Sequence, residues 1–154
     1  MGLPENFRQI SSVVPPTTLG RFKVAVPEPA QIAKDLAYYE TRIPKEGTPA
    51  MTKAIFALLY SRLGNGEKAL HYFKESYQEN LNPPFRVIAE TAGGTNPYFA
   101  TGAGGIIQSL LMGFGGLDIT DAGIVQLKTK LPKSWKSITL TGIGTAKKKF
   151  KNSN

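Results

Sequence analysis

The amino-acid sequence predicts a mainly α chain that turns to β near its end. Three observations carry that expectation. Apolar residues recur at intervals of three and four through 29–39, 50–63, 67–78 and 104–114. Ser137 to Ile143 alternates apolar and hydroxyl-bearing or small residues at the strand period of two. Between these regimes stand Gly113, Gly115 and Gly116, which end the last helical pattern.

The elements follow in order. Residues 1–23 are rich in proline, serine and threonine, show no period, and read as an irregular segment. Pro29 to Tyr39 reads as a helix, with Pro29 suited to its first turn and Ile32, Leu36 and Tyr39 at helical spacing. Pro44, Gly47 and Pro49 make 41–49 a loop. Ala50 to Leu63 is the clearest helix, through Met51, Ala54, Ile55, Leu58, Leu59 and Arg62. Gly64-Asn65-Gly66 closes it with residues that tolerate positive φ. Glu67 to Gln78 follows, with Ala69, Leu70, Phe73 and Tyr77 on one face. So short a turn between two amphipathic helices predicts an antiparallel helical hairpin. Gly104 to Phe114 reads as the last helix, Asp118 to Gly123 as a turn, and Ile124, Val125 and Leu127 as a short strand. Leu131 to Ser134 interrupts before the strand at 137–143. This divides the chain into helical residues 24–116, a β segment at 117–146 and a basic tail at 147–154. The β segment is too small to be stable alone, so it packs on the helices or on strands outside this chain.

With 154 residues, 41% hydrophobic and 19% charged, the chain can bury a real core. It has no cysteine, which excludes disulfides, thiolate metal sites and cysteine nucleophiles. One histidine, His71, makes serine–histidine and multi-histidine chemistry a poor fit. No cofactor is expected. Residues 1–22 hold prolines and charges instead of a continuous apolar run, so no signal peptide is expected here. The compartment of a longer parent, periplasmic or secreted among the choices, stays open. The apolar stretch at 106–114 is too short to span a bilayer, so no membrane contact is expected. The net charge of +8 equals the eight lysines after Asp121, beyond which no acid occurs. No arginine follows Arg86, and Trp135 and Phe150 are the nearby aromatics. That is the composition of a solvated tail, and no nucleic acid is expected as a partner.

The candidate chemistry centres on Glu90. A proline-stiffened entry at Pro83-Pro84 leads to this carboxylate, and a loop of small and aromatic residues leads away from it. Loops held by rigid elements often carry chemistry. Glu90 is a candidate general base, against the alternative of a carboxylate that caps a turn or pairs with Arg86. Asn96 and Tyr98 follow, an amide for sugar hydroxyls and a ring for a sugar's C–H face, against the alternative of a loop anchored by Tyr98 and Phe99. In the loop before Ala50, Lys45 and Glu46 can bind an anion or supply a second acid, against the alternative of an exposed connection. Thr101 to Gly105 offers glycines before a helix, where close packing outweighs anion binding as their reason. Tyr38, Tyr39 and Glu40 line a pocket or cap a hairpin, and His71 reads as an ordinary partly exposed side chain. No second acid in the chain is a convincing partner for Glu90.

An ordered set of motifs then becomes recognisable. It comprises Asp35-Leu36-Ala37-Tyr38-Tyr39-Glu40, Gly47-Thr48-Pro49-Ala50-Met51-Thr52 and Pro84-Phe85-Arg86-Val87-Ile88-Ala89-Glu90. Phe99 to Gly105, Gly113-Phe114-Gly115-Gly116-Leu117 and Leu131 to Lys136 complete it. Together they resemble the C-terminal part of glycoside hydrolase family 65, from about Val24 to Gly144. The resemblance implies the last helices of an (α/α)6 barrel followed by the start of a small β domain, a partial domain whose partner is the rest of the catalytic barrel. It also implies a carbohydrate substrate and an inverting mechanism, with Glu90 as general base and the general acid outside this chain. Phosphorylase members hold phosphate with a histidine–serine loop; the matching residues 44–49 have neither, which favours water as nucleophile.

The expectation is therefore a C-terminal fragment of an inverting α-glycoside hydrolase, inactive alone. The rivals are a non-catalytic helical interaction module, a disaccharide phosphorylase fragment of the same family, and an anion binder acting through the lysine tail.

Overall fold

The computed structural model describes residues 28–44, 47–96 and 98–154. The irregular segment expected at 1–23 lies outside them. Four α-helices come first: α1 (Pro29–Glu40), α2 (Ala50–Arg62), α3 (Gly66–Gln78) and α4 (Ala100–Gln108). The last of these runs on as a π-helical turn over Ser109–Phe114. The short strands β1 (Leu81–Asn82) and β2 (Val87–Ile88) stand between α3 and α4. After the π turn come β3 (Leu117–Thr120), β4 (Gly123–Gln126), β5 (Ser137–Ile143) and β6 (Lys148–Ser153). No helix among the described residues is long and apolar enough to cross a membrane.

Helix α2 is the centre. Ala50, Ala54, Phe56, Ala57, Leu58, Leu59 and Tyr60 are all buried along it, so it is enclosed on more than one side. Gly64, at φ +79°, breaks the chain after α2. The Asn65 side chain then accepts the Lys68 N–H at 3.1 Å and caps α3. The hairpin expected from this sequence is present, and α3 buries Ala69, Tyr72 and Ser76.

On another side of α2, helix α4 runs in the same direction at very close range. A Cβ on Gly102 would meet the Phe99 ring at 2.7 Å and Ala50 Cβ at 3.1 Å. One on Gly105 would meet Met51 Sδ at 2.5 Å and Ala54 Cβ at 3.2 Å, and one on Gly113 would meet Leu58 Cα at 3.1 Å. The contacts advance together along both chains, so the missing side chains let the two backbones lie nearly in contact. Thr101 to Gly105 therefore lies inside the helix, which begins earlier than the expected Gly104, and two of its glycines serve packing. The Gly115 N–H reaches back to the Leu110 carbonyl at 2.8 Å, the wider bond of a π turn. That turn delivers Phe114 into the core, where its ring lies 4.8 Å from Trp135 and 5.6 Å from Phe73.

The strands form separate two-stranded antiparallel pairs: β1 with β2, β3 with β4 and β5 with β6. Three expectations are corrected here. Asp118 to Thr120 belongs to β3, with Ile119 opposite Ile124, so only Asp121 and Ala122 turn. Leu127 lies past β4 and donates its N–H to the Gly116 carbonyl. The expected tail is mostly β6. Phe150 pairs with Leu140, and the Asn152 amide donates to the Phe114 carbonyl at 2.8 Å and to Thr129 Oγ1 at 2.9 Å. Lys148, Lys149 and Lys151 still point to solvent, so a strand period was hidden among lysines. Arg62 binds the helical and β parts together, donating to the carbonyls of Met112 and Leu117 and pairing with Asp118.

These packing contacts predict opposite responses at two glycines of one helical run. Gly104→Ala, where an added Cβ meets nothing within 4 Å, should stabilise the chain by about 0.5–1 kcal/mol. Gly113→Val, pressed on the α2 backbone, should destabilise it by about 1–3 kcal/mol. Thermal unfolding of both variants measures the contrast.

Candidate functional site

Strand β2 ends at Ile88 and leads through buried Ala89 to Glu90. The loop that follows returns to α4 at Phe99, whose N–H donates to the Ile88 carbonyl at 2.9 Å. That bond closes the neck of a loop over residues 89–98. Within it, Gly93 takes φ +66°, and Gly94 packs so closely on Thr91 that a Cβ would meet the Thr91 carbonyl at 2.9 Å. The Asn82 side chain donates to the Gly94 carbonyl at 2.6 Å and holds the loop's middle.

The Glu90 backbone is held from two directions. Its carbonyl accepts the Ala50 N–H at 2.9 Å and the Asn80 side-chain amide at 2.9 Å. The first bond has a clear reason. Helix α2 starts after Pro49, which has no side chain to cap it, and a buried helix N-terminus leaves N–H groups needing acceptors. Glu90 supplies one. Its carboxylate is exposed and has no hydrogen-bond or ion-pair partner among the described residues, so neither a cap nor an Arg86 pair is formed.

Asn96 and Tyr98 are carried on the same loop as Glu90, and both are exposed. Tyr98 is 77% exposed and sits at φ +62°. A bulky residue at positive φ is strained, and such strain gathers at functional sites. The ring is thus presented outward instead of anchoring the loop. Lys45 and Glu46 lie outside the described residues. Thr48, close after them, is buried and donates its hydroxyl to the Pro44 carbonyl at 2.7 Å.

A second cluster forms around Glu40, whose partners Tyr60, Lys68 and Tyr72 carry no signal in the sequence. Glu40, at the end of α1, accepts the hydroxyls of Tyr60 at 2.9 Å and Tyr72 at 2.8 Å. Both its oxygens also accept Lys68 Nζ, at 2.8 and 2.7 Å. The Tyr60 and Tyr72 rings stack with centroids 5.7 Å apart. Burial works against the charge on Glu40, but the bonds from Lys68, Tyr72 and Tyr60 outweigh it and hold the carboxyl below its usual range. Burial, with the Glu40 bond, pushes the Tyr72 phenol up. A carboxylate so held keeps its charge, and its bonds join α1, α2 and α3. Lys53 is buried nearby against Glu79 at 2.7 Å. His71 is exposed, 3.3 Å from Glu75, as expected for an ordinary surface histidine.

Comparison with known proteins gives this geometry a context. No family model matches the chain. The chain is 74% identical over 125 residues to a kojibiose hydrolase of Mucilaginibacter mallensis, covering 81% of this chain and 18% of that protein. It is 64% identical over 121 residues to a kojibiose hydrolase of Flavobacterium johnsoniae, covering 78% of this chain and 18% of the relative. A protein-glucosylgalactosylhydroxylysine glucosidase of Dictyostelium discoideum is 36% identical over 106 residues, covering 69% of this chain and 15% of the relative. These relatives are glycoside hydrolases by name, and they support a place for the chain in a glycoside hydrolase family. The chain spans about a fifth of the length of the curated relatives it matches.

The Glu40 cluster predicts a pH response. A carboxyl lowered by folding contributes stability above its unfolded pKa, and that stability is lost as pH falls through the folded value. Stability should therefore drop from about pH 5 downward. Glu40→Gln should destabilise the chain at neutral pH and flatten that drop, measured as unfolding midpoint against pH.

Proposed function

We propose that the chain is the C-terminal part of an inverting α-glucoside hydrolase of the family 65 type, with Glu90 as its general base. The observation that carries the reading is the position of Glu90: an exposed carboxylate, unpartnered among the described residues, on a loop whose neck is bonded to the start of α2. The high identity to two kojibiose hydrolases supports a substrate of α-linked glucose in a disaccharide or short glycoconjugate. In this reading, residues 24–116 belong to the helical catalytic barrel and residues from 117 open the small β domain. The remaining barrel is contributed by sequence outside this chain.

The chemistry follows from the residues. Glu90 takes a proton from a water as that water attacks the anomeric carbon. A carboxylic acid on the opposite side of the sugar, from the rest of the barrel, protonates the leaving oxygen. An inverting pair stands roughly 6.5–9.5 Å apart, leaving room for the water. Tyr98 offers its ring to the sugar's C–H face, and Asn96 offers an amide to its hydroxyls. In this reading Lys45 and Glu46, which lie outside the described residues, also bind the substrate. The exposure of Asn96 and Tyr98 suits groups whose pocket is closed by further protein.

The test is Glu90→Gln in the full-length protein, assayed on kojibiose. Turnover should fall by about 10²–10⁴-fold with KM little changed. The wild-type product should be released with inverted anomeric configuration. Undiminished turnover in the variant, or a retained configuration in the wild type, would contradict the reading.

A further inference from the structure

We propose that Asn80 is the positioning residue for Glu90: its buried amide fixes the peptide from which the catalytic carboxylate projects. The inference rests on the reading of Glu90 as the base and adds a residue to that machinery. Asn80 stands just past α3 and is fully buried. Its Nδ2 donates to the Ala89 carbonyl at 3.2 Å and to the Glu90 carbonyl at 2.9 Å. Its own backbone carbonyl accepts the Ala89 N–H at 2.8 Å. One residue thus grips three successive peptides, those that precede, enter and leave Glu90.

The orientation of the amide is determined by its neighbours. Both groups facing Nδ2 are carbonyls, which only accept, so the NH2 must point at them. That leaves Oδ1 buried with no partner among the described residues. An unsatisfied buried oxygen is a cost that an apolar or smaller side chain would avoid. What the amide provides in return is two donors aimed at the Ala89 and Glu90 carbonyls. With the Ala50 N–H on the same Glu90 carbonyl, two donors from separate elements lock one peptide. Rotation of that peptide would swing the Glu90 side chain, so the amide sets where the carboxylate stands.

The experiment uses the full-length protein with Asn80→Ser, Asn80→Ala, Glu90→Gln and the double variant Asn80→Ser with Glu90→Gln. Turnover per folded molecule, KM, the pH profile of turnover and the unfolding midpoint are measured for each on kojibiose. Misplacing a catalytic group by about an ångström costs on the order of 10²-fold. Asn80→Ser should therefore lower turnover by about 10–100-fold with KM within about twofold, and shift the acidic limb of the pH profile. In the Glu90→Gln background the same change should leave residual turnover unaltered, because no base remains to position. Asn80→Ser keeps a hydroxyl donor and stands in should Asn80→Ala not fold. A lowered midpoint with unchanged turnover and pH profile would mean that Asn80 is structural only, and overturns the proposal. A dead Glu90→Gln beside a fully active Asn80→Ser rejects the positioning role alone. An active Glu90→Gln rejects the base and the positioning role together.

Discussion

The structure depends on how closely α4 can approach α2. Gly102, Gly105 and Gly113 present bare backbone to Ala50, Met51, Ala54 and Leu58. Glycine inside a helix is unfavourable by propensity, by roughly 1 kcal/mol each against alanine. The close packing of two backbones offsets that cost and fixes the pair in a parallel alignment. Everything between the two helices must then return to the end from which α2 starts. The loop bearing Glu90 is that return.

This geometry explains how an exposed loop can hold the Glu90 backbone in place. Parallel helices bring their N-terminal ends to the same side, where unbonded N–H groups need acceptors. The Glu90 carbonyl fills that need for α2, and the Ile88 carbonyl takes the Phe99 N–H where α4 begins. The neck of the loop is thereby part of the helix ends, while Asn96 is exposed on its outer part and Tyr98 is exposed just before the neck. On the far side, Glu40 with Tyr60, Lys68 and Tyr72 draws α1 against α2 and α3. The two carboxylates differ by environment: one is surrounded by donors and keeps its charge, the other faces outward without a partner among the described residues.

Much of this was legible in the sequence, and the omissions have identifiable causes. The hairpin of α2 and α3 was readable because Gly64 and Asn65 supply a break and a cap between two periodic segments. The start of α4 was missed because Gly102, Gly104 and Gly105 argue locally against helix, and tertiary packing decided otherwise. Strand β3 was hidden by Asp118 and Asp121, which read as turn formers, although Ile119 and Ile124 face each other. Strand β6 was hidden by its lysines, whose exposure masked the inward pair Phe150 and Asn152. Glu90, Asn96 and Tyr98 were singled out from their own segment, and the structure carries all three on one loop. Asn80 had no such signal, because an asparagine between a helix and a proline pair looks like a turn residue until its partners are known. The Glu40 cluster was unreadable for a similar reason: its members are joined only once three helices pack.

The central claim is that the loop's neck is as firmly held as the helices it joins. Amide hydrogen exchange at Ala50, Ala89 and Phe99 tests it most directly. These N–H groups donate to Glu90, Asn80 and Ile88 respectively. The account predicts protection close to that of amides in the middle of α2, while Thr95 and Asn96 at the tip exchange freely. If Ala50, Ala89 and Phe99 instead exchange at the rate of the tip, the neck is open, and the Glu90 backbone is not held in one place.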